Sequence, residues 1–222
     1  MAKYEYTKVA QHGIPAGVKL TPMMEQYVEA KGRYPEALLF FRMGDFYELF
    51  FQDAELAGLH LGLTVTSRNK ESAVPEPMSG FPHHQLSNYL AKALEAGFKV
   101  AVCDQLSDPT KSKLVERGIT QVVTPGVVLD TNSLQERDEH FLVAVAPQGF
   151  LANEQGFVGG ELFGIAALDV STGAFKATEV MGVGALRCEL SRLDPKELLL
   201  PSPARALKAT IEERFRSLTI TD

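Results

Sequence analysis

Residues 40–51 read FFRMGDFYELFF, and how this aromatic stretch folds decides the architecture of the first half of the chain. To its N-terminal side, Ala37–Met43 is a short apolar run that follows Pro35 and ends at Gly44, the pattern of a buried strand. To its C-terminal side, Glu48 stands three residues after Asp45, the spacing of a helix capping box. Phe46, Leu49, Phe50, Ala54, Leu56 and Ala57 then fall on one helical face, so the pattern predicts a helix from Asp45 through about His60. In that frame Asp45 and Glu48 satisfy amides of the first turn, and Phe46 belongs to the core stripe. A second reading comes from position: Phe46 is the first helical residue after Gly44, at the tip of an element, where a ring can project outward. An exposed ring beside a carboxylate suits the reading of a nucleobase, because the ring can enter a base stack as an apolar wedge. The carboxylate can accept a hydrogen bond from a base edge and is repelled by phosphates otherwise.

The neighbouring segments alternate between helix and strand. Thr21-Pro22 opens a helix carrying Met23, Met24, Tyr27, Val28 and Lys31, which Gly32 and Pro35 stop. Leu63–Ser67 fits a strand, and the stretch holding Pro75, Pro77, Gly80 and Pro82 reads as a loop. A helix over Gln85–Ala96 closes at Gly97, and strands follow at Lys99–Cys103 and Ile119–Val123, ended by Thr124-Pro125-Gly126. Asp130–Glu139 is polar, without apolar period, and reads as a linker. Beyond it come a strand at Phe141–Val145, a hairpin of Phe163–Val170 and Ala174–Val180 around Ser171-Thr172-Gly173, and helices Ala185–Leu193 and Ala204–Phe215, with strands Glu197–Leu200 and Leu218–Ile220 after each. Two α/β domains are expected: a flexible arm over 1–17, a first domain over 18–130, a linker over 131–137 and a second domain over 138–222. The last strand ends the chain without a capping element, which reads as a truncation.

The composition is that of an ordinary globular protein, 45% apolar and 23% charged. No apolar run approaches the roughly 18 residues of a membrane span, and the N-terminus lacks the apolar segment of a secretory signal. Two widely spaced cysteines, Cys103 and Cys188, cannot build a disulfide framework and read as buried small apolar residues of a cytoplasmic protein. The formal charge of −6 divides into −2 for residues 1–130 and −4 for 131–222. Neither half has the basic surplus on which non-specific nucleic-acid binding rests, so any such role depends on a few placed residues.

The run LLFFRMGDFYELFFQDAELAGLHLGLTVTSRN resembles the mismatch-recognition domain of the MutS family of DNA mismatch-repair proteins. PMSGFPHHQLSNYLAKALEAGFKVAVCDQ, VERGITQVVTPGVVLD and ALDVSTGAF continue the likeness in order, from residue 18 to about 180. The resemblance implies an α/β fold with a mixed-sheet recognition domain, then part of a connector domain of ribonuclease H-like type. The family's Phe-x-Glu motif falls on Phe46-Tyr47-Glu48. By similarity, Phe46 stacks on a mispaired or unpaired base from the minor groove and Glu48 hydrogen-bonds to that base, while Arg68 and Met78 approach the DNA. The implied partners are mismatched duplex DNA, a second copy in the full-length family protein and downstream mismatch-repair proteins, with no membrane. No G-x-x-x-x-G-K-[ST] stretch occurs, so this chain is read as non-enzymatic and without a cofactor. The ATP and Mg of the family belong to an ATPase domain further C-terminal.

Several residues are weighed against plainer roles. Arg68, Asn69 and Lys70 could be a solvated turn. His83-His84 reads as a helix start rather than a metal site, since adjacent side chains diverge. Asp169, with Glu179, Glu189 and Asp194, raises the alternative of a metal-dependent nuclease of the ribonuclease H type, although no spacing singles these carboxylates out. Another alternative is a protein-docking module for repair partners in residues 138–222.

Overall fold

The computed structural model describes residues 21–67, 76–107, 115–127, 141–148, 162–202, 204–216 and 218–221. The expected arm over 1–17, the linker over 131–137 and the cluster Arg68-Asn69-Lys70 lie outside the described residues. The chain divides between Val123 and Thr124 into two compact units.

The first unit is built on a six-stranded mixed sheet. Its strands are β1 (Leu38–Met43), β2 (Phe46–Phe50), β3 (Thr66–Ser67), β4 (Pro77–Pro82), β5 (Val100–Gln105) and β6 (Arg117–Val123), in the order β3-β4-β2-β1-β5-β6. β1 and β5 run parallel, and the remaining pairs are antiparallel. Helix α1 (Pro22–Arg33) covers one face, with Thr21 as N-cap accepting from Met24 N at 3.4 Å and Pro22 in the first turn. Its Met24, Tyr27 and Ala30 pack on Leu39, Phe41 and Phe50. Helices α2 (Phe51–Leu61) and α3 (Leu86–Glu95) cover the other face, over Phe40, Tyr47, Leu49 and Phe81. Alternation along β1 and β2 therefore feeds two separate cores from one aromatic stretch.

Two expectations fail together here. Asp45 does not open a helix: residues 46–50 form a strand, and the helix begins only at Phe51. The chain instead reverses in a turn. Gly44 has φ +59° while Asp45 keeps a negative φ, the pattern of a type II′ hairpin turn with glycine first. Neither Asp45 nor Glu48 caps α2, whose N-cap position is Phe50. The presumed proline loop is the second failure: Pro77–Pro82 pairs with β2 on one side and β3 on the other. Its two prolines stand at the first and last positions of the strand, where a missing N–H costs least. The strand expected over Leu63–Ser67 is confined to Thr66–Ser67.

In the second unit, strands β7 (Phe141–Pro147), β8 (Leu162–Asp169), β9 (Phe175–Met181), β10 (Glu197–Leu199) and β11 (Thr219–Thr221) form a five-stranded sheet in the order β11-β10-β7-β8-β9. β7, β8 and β9 are an antiparallel meander, and β10 runs parallel to β7 and β11. Helix α4 (Gly182–Leu193) links β9 to β10, and α5 (Arg205–Glu212) links β10 to β11. Both connections cross the sheet in the same direction, so right-handed crossovers place both helices on one face. One core results, where Phe141, Val143 and Val145 meet Leu186, Leu190, Leu207 and Ile211. Cys188 departs from its expected burial: Leu186 and Leu190 face that core and Cys188, between them, is exposed. Cys103 is buried as expected.

Candidate nucleic-acid interface

The β1–β2 hairpin carries the Phe-x-Glu residues. Met43 pairs with Phe46 across the Gly44-Asp45 turn, Arg42 with Tyr47 and Phe41 with Glu48. On the other flank Phe46 pairs with Pro82, Glu48 with Gly80 and Phe50 with Met78. Period two places Phe46, Glu48 and Phe50 on the α1 side of the sheet and Tyr47 and Leu49 on the opposite side. Burial follows the distance from the tip. Phe50 lies under α1 at 0% exposure, Glu48 is half-buried, and Phe46, beyond the helix, is 46% exposed. The remaining aromatics of residues 40–51 are all buried.

The tip is held from three directions. Asp45 O accepts from His83 N at 2.8 Å and lies 3.1 Å from the His83 Nδ1. Arg42 Nε donates to Gly44 O, and its guanidinium lies over the Tyr47 ring at 5.4 Å. On the far face the Tyr47 hydroxyl donates to Asp104 Oδ1 at 2.6 Å, and Thr120 donates to Asp104 Oδ2 at 2.6 Å. Burial, with the Asp104 hydrogen bond adding to it, pushes the Tyr47 phenol up to about 12. Arg117 reaches from β6 to the hairpin: its Nε donates to Arg42 O at 2.7 Å and its guanidinium lies 5.2 Å from the centroid of the Phe41 ring. Burial holds the Arg117 guanidinium below its ordinary value, against an opposing pull from Cys103 and Glu48.

Of the four DNA-contact residues read from the sequence, Phe46 and Glu48 come together on one face. Met78 shares that face but pairs with Phe50, four positions along the strand from Phe46, or about 13 Å at strand spacing. It is half-buried against the α1 core. Arg68 lies outside the described residues. Gly80, His83 and Arg117 were missed as parts of this site. A Cβ on Gly80 would stand 2.8 Å from Tyr47 O and 3.4 Å from Glu48 Cγ, so glycine leaves Glu48 its room. The signal for Gly80 was its place in PMSGFP, once that stretch is taken as a strand rather than a loop.

Asp169 has a different task from the one the nuclease alternative required. Its Oδ1 accepts from Ser171 N and Oγ, and its Oδ2 accepts from Thr172 Oγ1, at 2.7–2.9 Å. Desolvation works against the carboxylate, but these turn donors outweigh it and hold Asp169 below its ordinary value. The carboxylate thus closes the β8–β9 turn, and among the described residues no group of three or more His, Cys, Asp or Glu is placed to hold a metal ion. Nor is any described helix long and apolar enough to cross a membrane.

Comparison with known proteins matches residues 21–132 to MutS domain I and residues 140–221 to MutS domain II. The chain belongs to the MutS family. It is 48% identical over 185 residues to the DNA mismatch repair protein MutS of Desulfatibacillum aliphaticivorans, covering 82% of this chain and 20% of that protein. The MutS of Sorangium cellulosum is 48% identical over 183 residues, with the same shares of 82% and 20%. That of Anaeromyxobacter sp. strain Fw109-5 is 46% identical over 201 residues, covering 90% of this chain and 21% of its own length. The chain therefore spans about a fifth of the length of these MutS relatives.

Proposed function

We propose that this chain recognises mispaired and unpaired bases in duplex DNA, with Phe46 as an apolar wedge in the minor groove and Glu48 as the acceptor that tests a displaced base edge. The observation that carries the reading is the exposure of Phe46. In a stretch whose other five aromatic rings are buried, one ring is mounted at 46% exposure on a braced hairpin tip, two residues from a half-buried carboxylate on the same face.

The energetics favour a defect over a perfect duplex. Unstacking a step costs about a few kcal/mol, and bending a site costs on the order of 1–6 kcal/mol. Both costs fall where mispairing has already weakened the stack, so the ring finds its lowest-energy site at the softest step. Glu48 discriminates by desolvation: near phosphates it is repelled, and it is tolerated where a base donor meets it. Family likeness adds the wider setting. In it these domains serve a dimeric, DNA-dependent ATPase that hands the lesion to further repair proteins, and the net charge of −6 leaves most phosphate contacts to segments other than these.

The test is fluorescence anisotropy of duplexes carrying one G·T pair, one unpaired T or no defect, titrated at low salt with the chain and with its Phe46→Ala variant. The chain binds matched DNA weakly and defective DNA more tightly, and Phe46→Ala removes that difference. Equal preference for the defect in both proteins defeats the proposal.

A further inference from the structure

We propose that Arg117 is a positioning residue for base reading: it pins the flank of the β1–β2 hairpin turned away from β4 and supplies the cation beside which Glu48 is set. This rests on the roles of Phe46 and Glu48 proposed above. The β1–β5 ladder ends at the pair Phe41–Cys103, so Arg42, Met43 and the turn have no β5 partner. At that point Arg117 replaces the missing strand. Its Nε donates to Arg42 O at 2.7 Å, and its Nη1 donates to Val115 O at 3.0 Å, so one planar fork spans β1 and the approach to β6. The opposite flank is held by β4 and by His83 on Asp45 O. With Arg117 in place, the tip is tied on both edges.

The same guanidinium has an electrostatic role. It lies over Phe41, the residue paired with Glu48, on the sheet face that carries both. Glu48 is among the charges that favour the protonated guanidinium against the burial opposing it. By reciprocity the cation favours the Glu48 carboxylate, the ionised form that accepts from a displaced base edge. Lysine could supply the charge but not the fork, because an ammonium lacks the fixed planar donors that reach two carbonyls and stack on a ring.

The experiment uses the 222-residue chain with Arg117→Gln, Arg117→Lys and Glu48→Gln, singly and in pairs, after circular dichroism has confirmed folding. Anisotropy gives the ratio of affinities for defective and matched duplex. Arg117→Gln is expected to cut that ratio about tenfold in the wild-type background and less than about threefold beside Glu48→Gln, the non-additivity of residues acting through one another. Arg117→Lys, which keeps the charge and loses the fork, lowers the ratio while leaving the Glu48 carboxyl titration, followed by 13C NMR without DNA, close to that of the wild type. In Arg117→Gln that titration moves to higher pH. Equal, additive losses on both duplexes, or an unmoved Glu48 titration, would show Arg117 to be a phosphate contact or plain scaffold and overturn the proposal. If Arg117→Gln does not fold, Arg117→Lys decides alone: a wild-type ratio in that variant refutes the pinning role. Survival of the ratio in Phe46→Ala sinks the wedge instead, and the DNA-free titration still tests Arg117.

Discussion

The buried ion pair Lys31–Asp53 provides the sharpest test of how the first unit is held. Both side chains are buried; Lys31 Nζ lies 2.8 Å from Asp53 Oδ1 and donates to Ala37 O at 2.6 Å. Asp53 Oδ2 accepts from Leu39 N at 2.9 Å and from the Tyr27 hydroxyl at 3.5 Å, and Tyr27 also donates to Phe50 O at 3.3 Å. This knot ties α1, β1 and the corner between β2 and α2, where Phe51 is held at φ +53°, a conformation bulky residues avoid. Lys31→Met removes the cation and leaves a buried carboxylate; breaking such a pair costs about 3–5 kcal/mol. Asp53→Leu strands Lys31 and orphans Leu39 N, for a similar single cost plus about 1–3 kcal/mol. The double variant buries no charge and loses chiefly its orphaned backbone groups, so it falls short of the sum of the singles by about 3 kcal/mol or more.

The pH dependence has a definite sign. Burial already pushes the Asp53 carboxyl up against the pull of Lys31. Without Lys31 it rises further, so the folded variant is relieved where Asp53 is protonated and penalised as pH climbs through that raised value. The deficit of Lys31→Met is therefore smaller at pH 5 than at pH 7.5. Urea unfolding followed by circular dichroism, with the slope checked for constancy, measures all three proteins. A Lys31→Met cost under about 1 kcal/mol, or additivity within about 0.5 kcal/mol, would refute the reasoning.

Three further outcomes follow from the same structure. Phe46→Ala costs about 1 kcal/mol or less, because nearly half of the ring is already exposed, whereas Tyr47→Ala, one residue on and buried with its hydroxyl on Asp104, costs about 3–5 kcal/mol by the same urea assay. Because the Asp169 carboxyl is depressed in the folded state, its contribution is present above the ordinary carboxylate range and lost as pH falls below about 4; Asp169→Asn flattens that acid limb of the stability profile of the second unit. Under native conditions a thiol reagent modifies the exposed Cys188 and spares Cys103, whose thiol burial pushes up to about 12, and denaturant exposes both.

The order of elements was largely legible in the sequence. The helix capped by Thr21, the strands around Leu39, Val102 and Val143, and the Ser171-Thr172-Gly173 hairpin all carry their own local signals and stand where those signals put them. The failure at residues 45–50 has a single physical origin. Asp45…Glu48 satisfies a helical capping pattern, and Phe46, Leu49 and Phe50 satisfy a helical stripe, so local rules could not reject the helix. What rejects it is a partner: β4 supplies a ladder along the whole of β2. That partner was hidden by Pro77 and Pro82, which read as breakers yet stand at the strand ends. Missing one strand removed the reason for the other. Arg117 and His83 were unreadable for a related cause, since their bonds to Arg42 O and Asp45 O span 75 and 38 residues and leave no trace in local spacing.

Replacing the helix by a hairpin strengthens the functional reading, because a wedge that selects by softness must be stiffer than what it probes. A ring on a loose loop would spend binding energy on its own ordering, at roughly 1–2 kcal/mol for each backbone residue fixed. That loss is comparable with the difference in unstacking cost that separates a defect from a sound step. On this hairpin the ordering has been met in folding: β4 flanks one edge, His83 and Arg117 hold the turn and Arg42, and Tyr47 is bonded to Asp104 beneath. On the function proposed above, discrimination then depends on the braces as much as on the ring. Tyr47→Phe, which keeps Phe46 and Glu48 but removes the donor to Asp104 Oδ1, should weaken the preference for defective duplex more than it weakens binding to matched DNA.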